Sequence, residues 1–477
     1  MSSPEKDGVH RKGMASRKGR SIAVCLIAIL AFTACLSLSV FSARNPAAPR
    51  ELTETEASVL EKTLDVSFPE RRLLVSPLPY DTVPADLSIN ARSAIIIDYG
   101  TGSILFEKNA DEVIPPASMT KLVEMYVVFQ AVESGEVSLD DEVHLPPQSW
   151  SINLPDDASR MFLAEGQHVT LDELLLGLAI ASGNDASVAV AYHVCGNMQD
   201  FVDRMNSVVK NLGLMRTHFV ESSGYSEENV TTAREFAAFC REYIRRFPFA
   251  MERYHSQRVL RYPQEHNLPD FQKGKGVSQE IVQHNTNKLL GDLPGCDGLK
   301  TGFIYESGYN IALTAVRYGT RFISVTMGGP GNGSQEGNKF RVQDGTVLME
   351  YAFSGFADYH APTGERAHSF TVALAGAKEK SVRLVPAFDE TLTVPFITSD
   401  SPGGAASSVT ARAYVPDIIL GNVECGKAYG TITYSIDGTV LRSMPLVADR
   451  TVRESGPAAR AWGRLVKASV TALNRVR

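Results

Sequence analysis

The sequence lacks the clustered cysteines and histidines that hold metals in proteins. Its six cysteines stand far apart in 477 residues, and its ten histidines form no His-Glu-x-x-His or similar spacing. It also lacks a basic excess, because 54 acidic residues outnumber 47 basic ones and the formal net charge is −7. We therefore expect no metal site and no nucleic-acid partner.

The cysteines also fail to define a disulfide framework. Two of them lie in an N-terminal apolar run and the other four are scattered: Cys25 and Cys35, then Cys195, Cys240, Cys296 and Cys425. An oxidising compartment would permit one disulfide, but the sequence selects no pair, and we expect buried free thiols.

Charge is absent from one long segment, Ser21 to Ala43, which follows a basic cluster. That pattern is typical of an export signal, and a run of this length also suffices to span a membrane. Val40-Phe41-Ser42 offers small residues for cleavage, so cleavage and retention are both open. In either case we expect the rest of the chain, which carries a charge of −11, to lie outside the cytoplasm.

Ser118 and Lys121 stand three residues apart where a helix is predicted to begin. Pro115 and Pro116 cannot lie inside a helix, whereas apolar residues recur at helical spacing from Leu122 to Phe129. Residues three apart share a helix face, and an amine shielded from water loses its proton more easily. We therefore predict that Lys121 activates Ser118 as a nucleophile.

Two further short motifs give this pair its meaning. Alone, Ser-x-x-Lys is a weak signal, because serine at a helix start is commonly only a cap. Ser182-Gly183-Asn184 and Lys300-Thr301-Gly302 follow in the chain. The three motifs in this order form a signature of penicillin-binding proteins and class A β-lactamases.

With these motifs, residues 85 to 450 resemble the D-alanyl-D-alanine carboxypeptidases, the low-molecular-mass penicillin-binding proteins. The match extends to Pro116 to Lys121, Ser182 to Ala186, Phe201 to Asn206, Pro294 to Gly302 and Gly308-Tyr309. The resemblance implies an α/β fold of the penicillin-binding-protein/β-lactamase transpeptidase type. In that fold an antiparallel sheet is flanked by helices, a helical region is added, and a small all-β domain follows.

The resemblance also implies catalytic roles. Ser118 would attack the carbonyl between two D-alanines, and Lys121 would take its proton. Ser182 would relay that proton to the departing D-alanine. Asn184 would hydrogen-bond the substrate amide and Lys121.

The third motif is implied to bind the substrate. Lys300 and Thr301 would hold the terminal carboxylate, and Gly302 would let the substrate backbone lie along the strand edge. The backbone N–H groups of Ser118 and Phe303 would form the oxyanion hole. The family often has histidine where this chain has Phe303, a change that preserves the backbone donor.

The resemblance implies an exported enzyme at the extracytoplasmic (periplasmic) face of the cytoplasmic membrane. Its partners would be peptidoglycan stem peptides ending in D-Ala-D-Ala, β-lactam antibiotics and the membrane surface, and no cofactor is needed. A D,D-endopeptidase on cross-linked peptidoglycan would use the same residues and stays an alternative. A β-lactamase is disfavoured because no Glu-x-x-Leu-Asn element lies between Asn184 and Lys300. A catalytically silent wall-binding protein is disfavoured because all motif side chains are present.

The chain divides into five predicted segments. Residues 1–43 form the signal or anchor, 44–84 a linker rich in Pro and Glu, 85–362 the peptidase domain and 365–452 the all-β domain. Residues 456–477 combine apolar residues at helical spacing with five basic residues and no acidic one. They predict an amphipathic helix on the membrane surface, and the alternative is a helix packed on the β domain.

Overall fold

The structure, a computed structural model, describes residues 12–275, 280–360, 368–395 and 408–475, with side chains between residues 23 and 474 of these ranges. The helices are α1 (Lys12–Arg44), α2 (Glu54–Ser67), α3 (Lys121–Ser134), α4 (Leu171–Leu176), α5 (Asn184–Cys195), α6 (Met198–Asn211), α7 (Ala233–Arg246), α8 (Ser334–Gly355) and α9 (Pro457–Arg475). The first strands are β1 (Ser76–Pro77), β2 (Ser93–Asp98), β3 (Ser103–Lys108), β4 (Val259–Tyr262), β5 (Ile281–His284), β6 (Cys296–Ile304), β7 (Gly308–Arg317), β8 (Thr320–Gly329) and β9 (Phe356–Tyr359). The later strands are β10 (Phe370–Ala375), β11 (Ser381–Pro386), β12 (Leu392–Pro395), β13 (Thr410–Tyr414), β14 (Ile418–Leu420), β15 (Ala428–Ile436) and β16 (Thr439–Ala448).

A six-stranded sheet in the order β1-β3-β2-β8-β7-β6 forms the centre of one compact unit, residues 73–360 together with β12. Its neighbouring strands are antiparallel except for β1 beside β3. Successive residues of a strand point to opposite faces. Ile95 and Ile97 accordingly pack in one core with helices α3 and α7, whereas Ala94 and Ile96 pack in a second core with α8. The sheet is therefore covered on both faces, as the predicted fold requires.

The helical region of this unit forms around α3. Tyr126 and Phe129 on α3 contact Phe239, Tyr243 and Phe247 on and after α7, with ring centroids 5.1–6.5 Å apart. The aromatic residues of α7 recur at helical spacing and thus form one buried face of that helix. They fix the helix that begins with Lys121.

A second six-stranded sheet, in the order β13-β15-β16-β11-β10-β14, lies in the other compact unit. Its β15 and β16 form a hairpin, in which Gly430 pairs with Leu446. This unit also contains α1, α2 and α9. The predicted all-β domain is therefore present, with helices added to it.

The segment predicted as a linker is folded over much of its length. The Ser381 hydroxyl donates to the Ala47 carbonyl at 2.7 Å, and Arg450 Nη2 donates to the Arg50 carbonyl at 2.6 Å. Helix α2 then buries Leu60 and Leu64 completely, in a cluster with apolar residues of β11 and β16. Residues 44–67 thus contribute to the core of the β unit, because the apolar face of α2 needs a partner.

One strand within residues 365–452, the predicted all-β domain, belongs elsewhere. Strand β12 pairs with β9, from Leu392 opposite Tyr359 to Pro395 opposite Phe356, and lies in the peptidase unit. The sequence shows β propensity but not the pairing partner, which is set by tertiary contacts. The predicted boundary at 362–365 lies outside the described residues.

The terminal helices pack on the β unit and on each other. Within the described ranges, α1 is the one helix long and apolar enough to cross a membrane. Helix α9 buries Val466 and Val470 in a cluster with Ala373, Ala375 and Ile418 of the sheet. The packed alternative therefore holds for this part of its apolar face, whereas Leu465 and Leu473 are exposed.

Candidate active site

Ser118 and Lys121 meet where the chain enters the helical region. Ser118 lies in a 3-10 turn, Ala117–Thr120, and Lys121 is the first residue of α3, so the α-helix begins three residues later than Ser118. Lys121 is fully buried, and its Nζ donates to Ser118 Oγ at 3.2 Å. Burial lowers the pKa of this amine to about 8, against the attraction of Glu124 and other carboxylates. An amine with a lowered pKa beside a hydroxyl is suited to accept its proton.

The second motif completes the surroundings of Lys121. Ser182 adopts a left-handed φ of +59° between a π-helical turn, Gly177–Ala181, and helix α5. Asn184 begins α5, and its Oδ1 accepts a hydrogen bond from Lys121 Nζ at 2.7 Å. Asp185 fixes this corner by accepting hydrogen bonds from the backbone N–H groups of residues 161 to 163.

The third motif lies on β6 at the edge of the sheet. Lys300 is buried, and its Nζ donates to Ser182 Oγ and to the Thr301 carbonyl, both at 3.0 Å. Burial and the nearby cations Lys121 and Arg341 hold the pKa of Lys300 well below its usual value. The second motif thus joins the other two, because Asn184 is hydrogen-bonded to Lys121 and Ser182 to Lys300.

Gly302 brings the strand edge against the nucleophile. A Cβ at position 302 would lie 2.4 Å from the Pro116 carbonyl oxygen and 3.1 Å from the Ser118 nitrogen. Only glycine permits such a close approach of two backbones. The next residue, Phe303, packs on Tyr309 with ring centroids 4.4 Å apart.

A cavity of about 730 Å³ opens in front of these residues. Five of the eight predicted site residues line it: Ser118, Ser182, Thr301, Gly302 and Phe303. Lys121, Asn184 and Lys300 are buried behind its wall and are bonded to one another or to residues that line it. The structure therefore brings all eight predicted residues together.

Two further groups were missed at the level of sequence. The Ser223 carbonyl accepts a hydrogen bond from Lys121 at 2.6 Å. Gly224 has a φ of +81°, and a Cβ added there would lie 1.9 Å from the Ala117 carbonyl oxygen. Arg341 on α8 lines the cavity and donates to the Gly302 carbonyl at 3.1 Å. The run Ser222-Ser223-Gly224 indicates a turn, but neither this run nor Arg341 belongs to a short motif with a known chemical role.

In the part of the chain that the structure describes, no group of three or more His, Cys, Asp or Glu side chains is arranged to hold an ion. His255 is buried near Lys300, and burial lowers its pKa to about 3, so it stays neutral. The predicted absence of a metal and a cofactor stays a prediction.

The site combines the Ser118 hydroxyl with a buried lysine, in a cavity bounded by a strand edge. This combination defines a serine-type acyl-transfer enzyme with the fold of the penicillin-binding proteins. Residues 80–331 match the D-alanyl-D-alanine carboxypeptidase family of peptidases, and residues 368–454 match the Penicillin-binding protein 5, C-terminal domain family. The chain therefore belongs to the D-alanyl-D-alanine carboxypeptidase family, and the predicted class of serine-type peptidase is confirmed.

Individual relatives agree with this assignment. The chain is 32% identical to D-alanyl-D-alanine carboxypeptidase DacA of Haemophilus influenzae, over 79% of this chain and 89% of that protein. It is 29% identical to DacF of Bacillus subtilis, over 78% and 88%. The structure of penicillin binding protein 5 from Haemophilus influenzae superposes with a TM-score of 0.65 at 29% identity, over 78% of this chain and 100% of that one. The predicted fold class is confirmed.

Proposed function

We propose that this protein removes the terminal D-alanine from peptidoglycan pentapeptides through an acyl-enzyme on Ser118. The observation that carries the proposal is the 3.2 Å contact between the fully buried Lys121 Nζ and Ser118 Oγ, which lines the cavity. Lys121 accepts the Ser118 proton as Oγ attacks the carbonyl between the two D-alanines. The proton then passes through Ser182 to the leaving amine, and water releases the acyl group.

The binding roles follow from which groups face the cavity. The Thr301 hydroxyl and the Arg341 guanidinium line the cavity and are proposed to take the terminal carboxylate. Lys300 does not face the cavity, and its Nζ donates to Ser182 Oγ. We therefore propose that Lys300 orients the Ser182 hydroxyl, in place of the carboxylate binding inferred from sequence. The N–H groups of Ser118 and Phe303 are proposed as the oxyanion hole.

Acylation by a β-lactam tests the assignment of the nucleophile. Incubation of the full chain with benzylpenicillin should add one penicilloyl group, and peptide mapping should place it on Ser118. The Ser118→Ala chain should remain unmodified. An adduct on another residue, or an equal adduct on Ser118→Ala, would contradict the proposal. Products from a pentapeptide and from a cross-linked dimer then separate carboxypeptidase from endopeptidase activity.

We also propose that the protein is held at the extracytoplasmic membrane face by α1, retained rather than cleaved. Val40 and Ala43 are buried in the cluster that α9 forms with the β unit, and Trp462 Nε1 donates to Ser39 Oγ at 3.3 Å. Cleavage after Ser42 would remove Ser39 and Val40. N-terminal sequencing of the membrane-bound chain checks retention, and protease accessibility in spheroplasts checks the side. A chain beginning near Ala43 would refute retention.

Helix α9 is proposed to touch the lipid surface through its exposed residues. Arg464 and Lys467 are exposed beside Leu465. In a chain starting at Arg44, reversing both charges to Glu should reduce co-sedimentation with anionic vesicles at low salt. Equal sedimentation of the two chains would refute this contact.

A further inference from the structure

Three carboxylates act on the Lys121 amine, and one of them has no assigned role. Asp185 comes from α5, Glu221 from the loop before Ser223, and Glu124 from α3 itself. The neighbouring basic group is Lys300 of β6, and the charge of Lys121 helps to lower its pKa. Among the attractions that raise the pKa of Lys121, that of Glu124 is the largest.

Two of these carboxylates are saturated with donors. Asp185 accepts four backbone N–H groups and the Ser151 hydroxyl. Glu221 accepts the backbone N–H groups of Ser223 and Gly224 and the Ser223 hydroxyl at 2.6–2.7 Å. Both carboxylates are therefore held in place by donors from the surrounding loops and already have a structural role.

Glu124 differs from both. It is fully buried, and among the described residues neither carboxyl oxygen has a hydrogen-bond partner. The Ser187 hydroxyl lies near it but is shared with Ser222 Oγ at 2.7 Å. A buried carboxylate without donors is strongly unfavourable unless a cation compensates it. The nearest helical neighbour that can do so is Lys121, one turn away on the same face of α3.

Lys121 cannot use Glu124 as a hydrogen-bond acceptor at the same time as its present partners. Its three ammonium protons are directed at Ser118 Oγ, Asn184 Oδ1 and the Ser223 carbonyl. Glu124 therefore acts on Lys121 as a charge rather than as a bonding partner.

We propose that Glu124 is a positioning residue of the acylation step, the counter-charge that stabilises the Lys121 ammonium formed when the amine accepts the Ser118 proton. As the bond from Ser118 Oγ to the carbonyl carbon forms, the proton moves from Oγ to Lys121 Nζ. As the C–N bond breaks, Lys121 returns that proton through Ser182 to the leaving amine. Above about pH 8, where Lys121 is the free amine that accepts the proton, Glu124 is ionised as well and supplies the counter-charge. This inference rests on the proposed function.

The pKa values agree with this geometry. Burial raises the pKa of Glu124 to about 8 and lowers that of Lys121 to about 8. Two interacting groups titrate as a pair. Removing the carboxylate removes an attraction for the ammonium, so the pKa of Lys121 must fall and the amine becomes a weaker base.

The test compares pH profiles of kcat/KM for D-alanine release by the full chain and three variants. In Glu124→Gln the midpoint of the acidic limb of the kcat/KM profile should move to lower pH by about one unit. It should also lower the plateau about tenfold, since general-base catalysis supplies more than that. Glu124→Asp keeps the charge and should retain the wild-type limb. Glu242→Gln, at another buried carboxylate on α7, is the matched control and should leave the profile unchanged.

An unchanged limb and plateau in Glu124→Gln would overturn the inference, because a merely space-filling Glu124 predicts no change. If Glu124→Gln fails to unfold cooperatively on heating, Glu124→Met offers the same uncharged comparison with no polar atom to satisfy. A wild-type chain that takes no β-lactam on Ser118 would overturn the proposed function, and this inference with it. Normal acylation of Ser118 with an unchanged variant profile overturns this inference alone.

Discussion

The two basic residues near the cavity, Lys300 and Arg341, should differ in what they do for the substrate. Lys300 is 1% exposed, does not line the cavity, and has its amine on Ser182 and the Thr301 carbonyl. Burial lowers the pKa of Arg341 to about 10, so its guanidinium is still charged at neutral pH, and it lines the cavity. Arg341 is therefore the group that a terminal carboxylate can meet.

The perturbation is Arg341→Gln, assayed on a D-Ala-D-Ala peptide and on the same peptide with its C-terminus amidated. A hydrogen bond to a charged group contributes about 2–3 kcal/mol. At about 1.4 kcal/mol for each factor of ten, kcat/KM on the free acid should fall about 30- to 150-fold. The amidated peptide has no charge to lose and should fall less than about threefold.

Lys300→Ala should behave differently, because it removes the donor that orients the Ser182 hydroxyl. We expect both peptides to lose activity by the same factor. Arg317→Gln, which removes an ion pair to Glu350 away from the cavity, is the control and should change neither. Equal losses on both peptides in Arg341→Gln, or a selective loss in Lys300→Ala, would refute the reasoning.

Three further outcomes are expected. Gly224→Ala should abolish penicillin acylation in mass spectra, because its Cβ would lie 1.9 Å from the Ala117 oxygen. Gly213→Ala should not, because Gly213 has a similar φ but no atom lies within 4 Å of an added Cβ there. An acylated Gly224→Ala chain would contradict this prediction. Leu64→Ala should destabilise the β unit by about 2–5 kcal/mol in denaturant unfolding, and an unchanged midpoint would show that α2 is not part of its core. Wild-type kcat/KM should decline as pH falls through about 8, since protonated Lys121 cannot accept a proton; a flat profile there would exclude it as the base.

The residues predicted for the site lie together in the structure, and the sequence could indicate them because their motifs are local. Ser118 and Lys121 share a turn, and the motifs at 182–184 and 300–302 each place their groups within three residues. Short motifs of this kind carry their own backbone geometry, so their convergence could be expected once all three were recognised. The fold class followed from the same recognition.

Long-range partners could not be predicted in this way. Ser223 contacts Lys121 through its carbonyl, a group that every residue has, and Arg341 reaches the cavity from a helix with no motif. Glu124 stands in an apolar helix, where only burial shows that it lacks donors. The packing of α2 and the pairing of β12 depend on which apolar faces and strand edges the rest of the fold leaves free. The sequence pattern of each segment does not show these partners.

The β unit is discontinuous along the chain, and this has a consequence for its synthesis. Helix α2 and residues 44–53 precede the peptidase unit, but their partners in β11 and β16 follow it. During vectorial synthesis the peptidase unit can fold while α2 still exposes Leu60 and Leu64 without a partner. The first residues of the β unit are synthesised before the peptidase unit and its last residues after it. We therefore expect chaperones and proteases to bind α2 in nascent chains. Limited proteolysis of ribosome-bound chains ending before residue 380 should cut within α2, and protection there would show that it finds another partner first.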